Sequence, residues 1–189
     1  MRWQRLFADL SAQWEEAEAS AERLESASRA RAEFGGVLLA DRLRGAEGTR
    51  VVLRCRGAGP VAGAVVDVGP DWVLLVDERG AEVLVAAPAV LAVSGLGRRT
   101  APPDEAGTVT GRLDLRWAVR GLARDRSKVQ VVLVDGAAVT GTIDRVGADF
   151  CEIAEHPLDE ARRGSAVQGV TAAALSALAV VRTVGPGLD

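Results

Sequence analysis

The chain has 189 residues, 48% of them hydrophobic and 26% charged, with a formal net charge of −3. That balance belongs to globular proteins and excludes an intrinsically disordered chain. Residues 1–34 carry 5 basic and 7 acidic groups, 35–100 carry 8 and 7, and 101–189 carry 10 and 12, so no segment attracts nucleic acid by bulk charge alone.

The first ten residues, MRWQRLFADL, include an acid and no sustained apolar run, so they do not read as a secretory leader. From Trp3 to Phe34 there is no proline or glycine, and Gly35-Gly36 supplies a stop. The spacing predicts one helix over 1–34, about 45 Å long. Trp3, Leu6, Phe7, Leu10 and Trp14 share one side of it, continued more thinly by Ala17, Ala21 and Leu24. Burying each large side chain is worth about 1.5–3 kcal/mol, so the stripe is expected to cover the rest of the chain or to meet another one. The expected partner is a second copy or another protein, and the five large residues are the candidate interface. A heptad register puts Gln13 and Ser20 in the seam, so a sustained coiled coil is unsupported.

Beyond the helix the chain repeats itself. VAGAVVDVGPDW (61–72) returns 78 positions later as VTGTIDRVGADF (139–150), sharing V-x-G-x-[VI]-x-x-V-G-x-D-[WF]. Val139, Gly141 and Ile143 alternate with Thr140, Thr142 and Asp144, the period of a half-buried strand. The Gly-x-Asp step predicts a tight turn into WVLLV or FCEIA. Upstream, RVVLRC (50–55) and VQVVLV (129–134) match within one residue of the same offset as first strands. Downstream, 81–93 and 165–181 each read as strand, short apolar turn, strand. The second copy is lengthened by the polar excursion EHPLDEARRG (155–164).

A helix precedes each set of strands: LRWAVRGLAR (115–124) has Leu115, Val119 and Leu122 at helical spacing, and LADRLRGAEG (39–48) occupies the matching place. GLGRRTAPPDEAGTVTG (95–111) is rich in glycine and proline and reads as a linker. The expected fold is mainly β with an N-terminal helix (1–34) and two tandem SH3-like five-stranded barrels at 38–97 and 113–184. A linker at 98–112 joins them, and a short helix leads each barrel.

This layout resembles the Sm-like family, over about 38–97 and 113–184 of the chain. The best-matched stretch is strand two, its glycine, the turn and strand three. The resemblance implies barrels that pair edge to edge into a ring, and single-stranded RNA as a ligand. The family's base-contacting asparagine falls at Val73 and Cys151, neither of which carries an amide's paired donor and acceptor. Its Arg-Gly step has no counterpart in VLVAAPAV, while the second copy has Gln168-Gly169, and the chain contains no tyrosine. The resemblance therefore implies the fold without the nucleotide pocket. The chain is also similar to uncharacterised proteins of high-GC Gram-positive bacteria, in keeping with Lys128 as its single lysine among 23 basic residues.

The remaining motifs favour structure over chemistry. Cys55 and Cys151 form no metal-ligand spacing and read as reduced, buried thiols of a cytoplasmic protein. RGAGPVAG (56–63) lacks the lysine and following helix of a phosphate loop. His156, the single histidine, is expected in a solvated loop, and Asp67, Asp71, Asp77, Asp144 and Asp149 at turns and edges. No nucleophile, base, metal or cofactor constellation is present, so an enzyme is not expected. The longest apolar run, 169–181, is shorter than the ~20 residues of a membrane span. The alternative to protein–protein assembly is nucleic-acid binding by Arg112, Arg116, Arg120 and Arg124, a stripe recurring every four residues.

Overall fold

The computed structural model describes residues 2–102, 113–157 and 167–184, with the backbone alone for 2–12 and Ala27. The chain divides into two units, residues 1–38 and 39–189. The first unit is the expected helix, α1 (Arg2–Phe34), stopped at the Gly35-Gly36 pair, where Gly35 N–H donates to Arg31 O at 3.0 Å. Along its described part Trp14 is 74% exposed and Leu24 68% exposed.

The second unit is built from the repeat. After the short helix α2 (Leu39–Arg44) come β1 (Arg50–Cys55), β2 (Gly59–Val68), β3 (Trp72–Val76), β4 (Glu82–Ala86) and β5 (Val90–Ser94). After α3 (Leu115–Arg124) come β6 (Lys128–Leu133), β7 (Ala138–Val146), β8 (Phe150–Glu155), β9 (Gly169–Ala174) and β10 (Leu178–Thr183). Alternation places Val51, Leu53 and Cys55 of β1 inward while Arg50, Val52 and Arg54 face out.

The two copies match in detail. A bulge interrupts β2 between Val65 and Asp67, and another interrupts β7 between Ile143 and Arg145, 78 residues on. Gly69 N–H donates to Trp72 O at 2.9 Å and Gly147 N–H to Phe150 O at 2.8 Å, which are the two expected tight turns. The shared strand glycines exist for close approach. A Cβ on Gly63 would sit 2.7 Å from Val76 O, and one on Gly141 1.9 Å from Ala154 O. Each fourth strand passes through one 3-10 turn, at Ala87–Ala89 or Leu175–Ala177, into the fifth.

The expectation of two separate closed barrels is corrected in one respect. All ten strands form a single antiparallel sheet in the order β5-β1-β2-β3-β4-β10-β6-β7-β8-β9, and its end strands β5 and β9 do not pair with each other. The copies are joined where β4 meets β10, with Val85, Leu84 and Val83 opposite Val180, Val181 and Arg182. One apolar core runs through both copies, from Leu53, Val61, Leu75 and Val85 to Val119, Val131, Ile143 and Ile153. A 60-residue repeat is marginal alone, and a continuous sheet with a common core removes that weakness.

Candidate functional site

The seam between the copies shows what this sheet does with an edge. Val83 to Ala86 of β4 and Leu178 to Val181 of β10 are each buried at four successive positions. Ordinary alternation would leave every second residue outside; here a neighbouring strand and a helix cover both sides. The helix is α3, which packs on β7 of the second copy and is fastened to the β2–β3 turn of the first. Asp71 Oδ1 accepts from Leu115 N–H at 2.7 Å, and the Trp72 indole N–H donates to Leu113 O at 2.6 Å. Asp114, the N-cap, accepts from Trp117 N–H at 2.8 Å. Burial raises the Asp71 carboxyl above the ordinary carboxylate range, Asp114 nearby adds to the rise, and the Leu115 N–H opposes it.

The ends of the sheet carry the same strands with one edge unpaired. In β5, Leu91 is 56% exposed and Ala92 is exposed, whereas their counterparts beside β4, Ala179 and Val180, are fully buried. In β9, Val170 is 62% exposed and Ala172 and Ala174 are exposed, whereas Leu84 and Ala86, the counterparts of the two alanines, are buried beside β10. Unpaired edges of this kind are templates for another strand.

Trp3, Leu6, Phe7 and Leu10 of the predicted interface lie outside the described side chains, and Trp14 is exposed. Arg112 of the arginine stripe lies outside the described residues. The other three do not form a uniform stripe: Arg116 Nε donates to Gly147 O at 2.8 Å, Arg124 pairs with Asp125 at 3.3 Å, and Arg120 faces solvent.

His156 departs from expectation. It is buried, with Nδ1 2.9 Å from Pro157 O and Nε2 2.8 Å from the Thr142 hydroxyl. The carbonyl can only accept, so Nδ1 carries a proton, and the ring ties β7 to the end of β8. Asp77 caps its turn as expected, accepting from Arg79 N–H at 2.8 Å and Ala81 N–H at 2.9 Å. Cys55 and Cys151 are buried and unpaired, and burial pushes each thiol up to about 11; Arg182 acts weakly the other way on Cys55.

Among the described residues no three His, Cys, Asp or Glu side chains are grouped to hold a metal ion, and no helix is long and apolar enough to cross a membrane. The sequence matches no protein-family model and no curated protein, and the fold matches no solved structure.

Proposed function

We propose that the protein is a non-catalytic assembly module whose partner is a second copy of itself, joined head to tail by pairing β5 of one chain with β9 of the next. One observation carries this reading. The β4–β10 seam is a fourth strand meeting a fifth strand, and the free ends are a fifth strand and a fourth strand with exposed apolar side chains. The strand order within each copy, fifth-first-second-third-fourth with a helix ahead, supports reading each copy as a strongly bent Sm-like unit that shares its sheet with its neighbour. An interface of this type is heterologous, so it generates a ring where the rotation closes and a filament where it does not. Helix α1, with Trp14 exposed, adds a second self-association surface to the same assembly.

The test uses the directionality of the interface. A lysine in place of Leu91 caps the β5 edge and one in place of Val170 caps the β9 edge, and both sites are exposed, so the fold tolerates them. With α1 weakened by Trp14→Ala in every sample, light scattering should find oligomers for the chain with both edges intact and monomers once Leu91→Lys or Val170→Lys is added alone. An equimolar mixture of the two variants should give a one-to-one dimer, because each retains the edge the other lost. A parent chain that stays monomeric at high concentration, or a mixture that stays monomeric, removes the proposal. Trp14→Ala reports separately on α1.

A further inference from the structure

We propose that the groove over the seam between the two copies is a docking site for an arginine side chain presented by a basic peptide. The groove encloses about 280 Å³, at the small end of ligand pockets, which suits one long side chain better than a compact organic ligand. Its floor is the buried ring of Trp72 with Leu84 and Val181, and Leu74 and Leu122 line its sides. Trp117 of α3, 52% exposed, offers an indole as a wall. The Trp72 indole N–H is already committed to Leu113 O, whereas that of Trp117 has no partner among the described residues.

Charge sets the class of occupant. Asp67, Glu82, Asp125 and Arg124 line the groove, and Arg124 is engaged with Asp125. Asp67 accepts only its neighbouring backbone N–H, from Val68 at 2.7 Å, and neither Asp67 nor Glu82 has a cationic partner among the described residues. Two carboxylates beside an exposed indole present complementary surfaces to a guanidinium, which stacks flat on an aromatic face while its edge donates to carboxylate oxygens. An ammonium cannot satisfy both surfaces as well, because it has no plane to stack.

The repeat supplies an internal control on whether this lining is merely what the fold requires. At the matching positions of the second copy stand Arg145 for Asp67, Phe150 for Trp72, Glu152 for Leu74, Val170 for Glu82 and Ala172 for Leu84. The strands there keep their backbone without the two acids and the tryptophan, at an end of the sheet where no strand pairs beside β9. Those groups are therefore an addition at the seam. The inference does not depend on self-assembly, since the groove lies inside one chain.

The test follows the indole N–H resonances of the full-length protein by two-dimensional NMR while a blocked peptide Gly-Ala-Arg-Ala-Gly is added at low salt; Trp117→Phe assigns the Trp117 peak. The expected result is a saturable shift of that peak, weakened about tenfold or more in Glu82→Gln combined with Asp67→Asn. The isosteric citrulline peptide should bind about tenfold more weakly, and the lysine peptide in between. No shift up to about 5 mM peptide, equal binding of citrulline and arginine peptides, or binding that survives the double substitution would overturn the proposal. A cooperative urea unfolding transition at the parent's midpoint confirms that the fold of the double variant is intact.

Discussion

One position in the turn before each first strand allows a prediction of opposite sign in the two copies. Gly48 has φ +74°, and Arg126, its counterpart 78 residues later, has φ +51° and is the single non-glycine residue with positive φ among those described. Arg126 terminates α3: its N–H donates to Ala123 O at 3.2 Å and that of Ser127 to Leu122 O at 3.2 Å, a pattern that normally ends on glycine. An L-residue in this conformation costs about 1–2 kcal/mol, and a side chain in place of glycine returns about 0.4–1 kcal/mol by restricting the unfolded chain. The difference is about 0.8 kcal/mol, so Arg126→Gly should stabilise the protein by that amount and raise Tm by about 2–3 °C. Gly48→Ala should lower it equally, because a Cβ there meets nothing within 4 Å and strain acts alone. Differential scanning calorimetry reads both. A lower Tm for Arg126→Gly would refute the reasoning and would mean that the arginine side chain contributes more than its backbone strain costs.

The other expectations concern the seam, the sheet and the thiols. Asp71→Ala should cost about 1 kcal/mol by orphaning the Leu115 N–H, whereas Asp149→Ala at the exposed counterpart should change little in urea unfolding. Asp71→Asn should retain most of the stability, since the amide oxygen still accepts. A carboxyl raised by burial favours the folded state below its unfolded pKa and loses that advantage as pH rises through its folded value, so the Asn variant should lack this decline and gain stability relative to the parent as pH rises through that window. Gly141→Ala should be severe, about 4 kcal/mol in urea unfolding, because the new Cβ meets a backbone oxygen that belongs to the paired strand. Cys55 and Cys151 should resist thiol reagents in the native state at neutral pH and react fully in denaturant. With thiols at about 11 when folded against 9.0 for the free group, the stability they contribute is complete below pH 9 and declines between pH 9 and 11.

Most of the elements were legible because they repeat. RVVLRC, WVLLV and the first strand–turn–strand segment are strands within a residue of their expected limits, since alternation and the Gly-x-Asp turn are local signals, and the second segment, expected at 165–181, has its strands between Gly169 and Thr183. The edges were harder to see. Pairing of β4 with β10 joins residues about a hundred positions apart, and periodicity tells that a segment is a strand without telling what lies beside it. A signal was present: EVLVA is apolar at four successive positions where GVTAAA is small, which is how a strand covered on every side differs from one at an end. The clasp of Asp71 and Trp72 on α3 was hidden for the same reason, as was the burial of His156, whose partner Thr142 sits on another strand.

The two kinds of seam need not be equally strong, and the residues indicate the order. Inside the chain β4 contributes Leu84 and Ala86 to the contact, and Trp72 adds an indole hydrogen bond. At the free end Leu84 is replaced by Ala172, and Trp72 by Phe150, which has no N–H to donate. Exchanging leucine for alanine forfeits roughly 2 kcal/mol of buried apolar surface, and the lost hydrogen bond about 1 kcal/mol more. The internal seam also forms without the translational entropy that association between chains must overcome. In the proposed assembly the covalent pair of repeats is thus the permanent unit, and the proposed β5–β9 junction is the reversible one, weaker by several kcal/mol and governed by protein concentration. Replacing Ala172 by leucine restores the apolar contact of the internal seam and should lower the concentration at which oligomers form in light scattering by about tenfold or more; an unchanged threshold would show that β9 is not the contact.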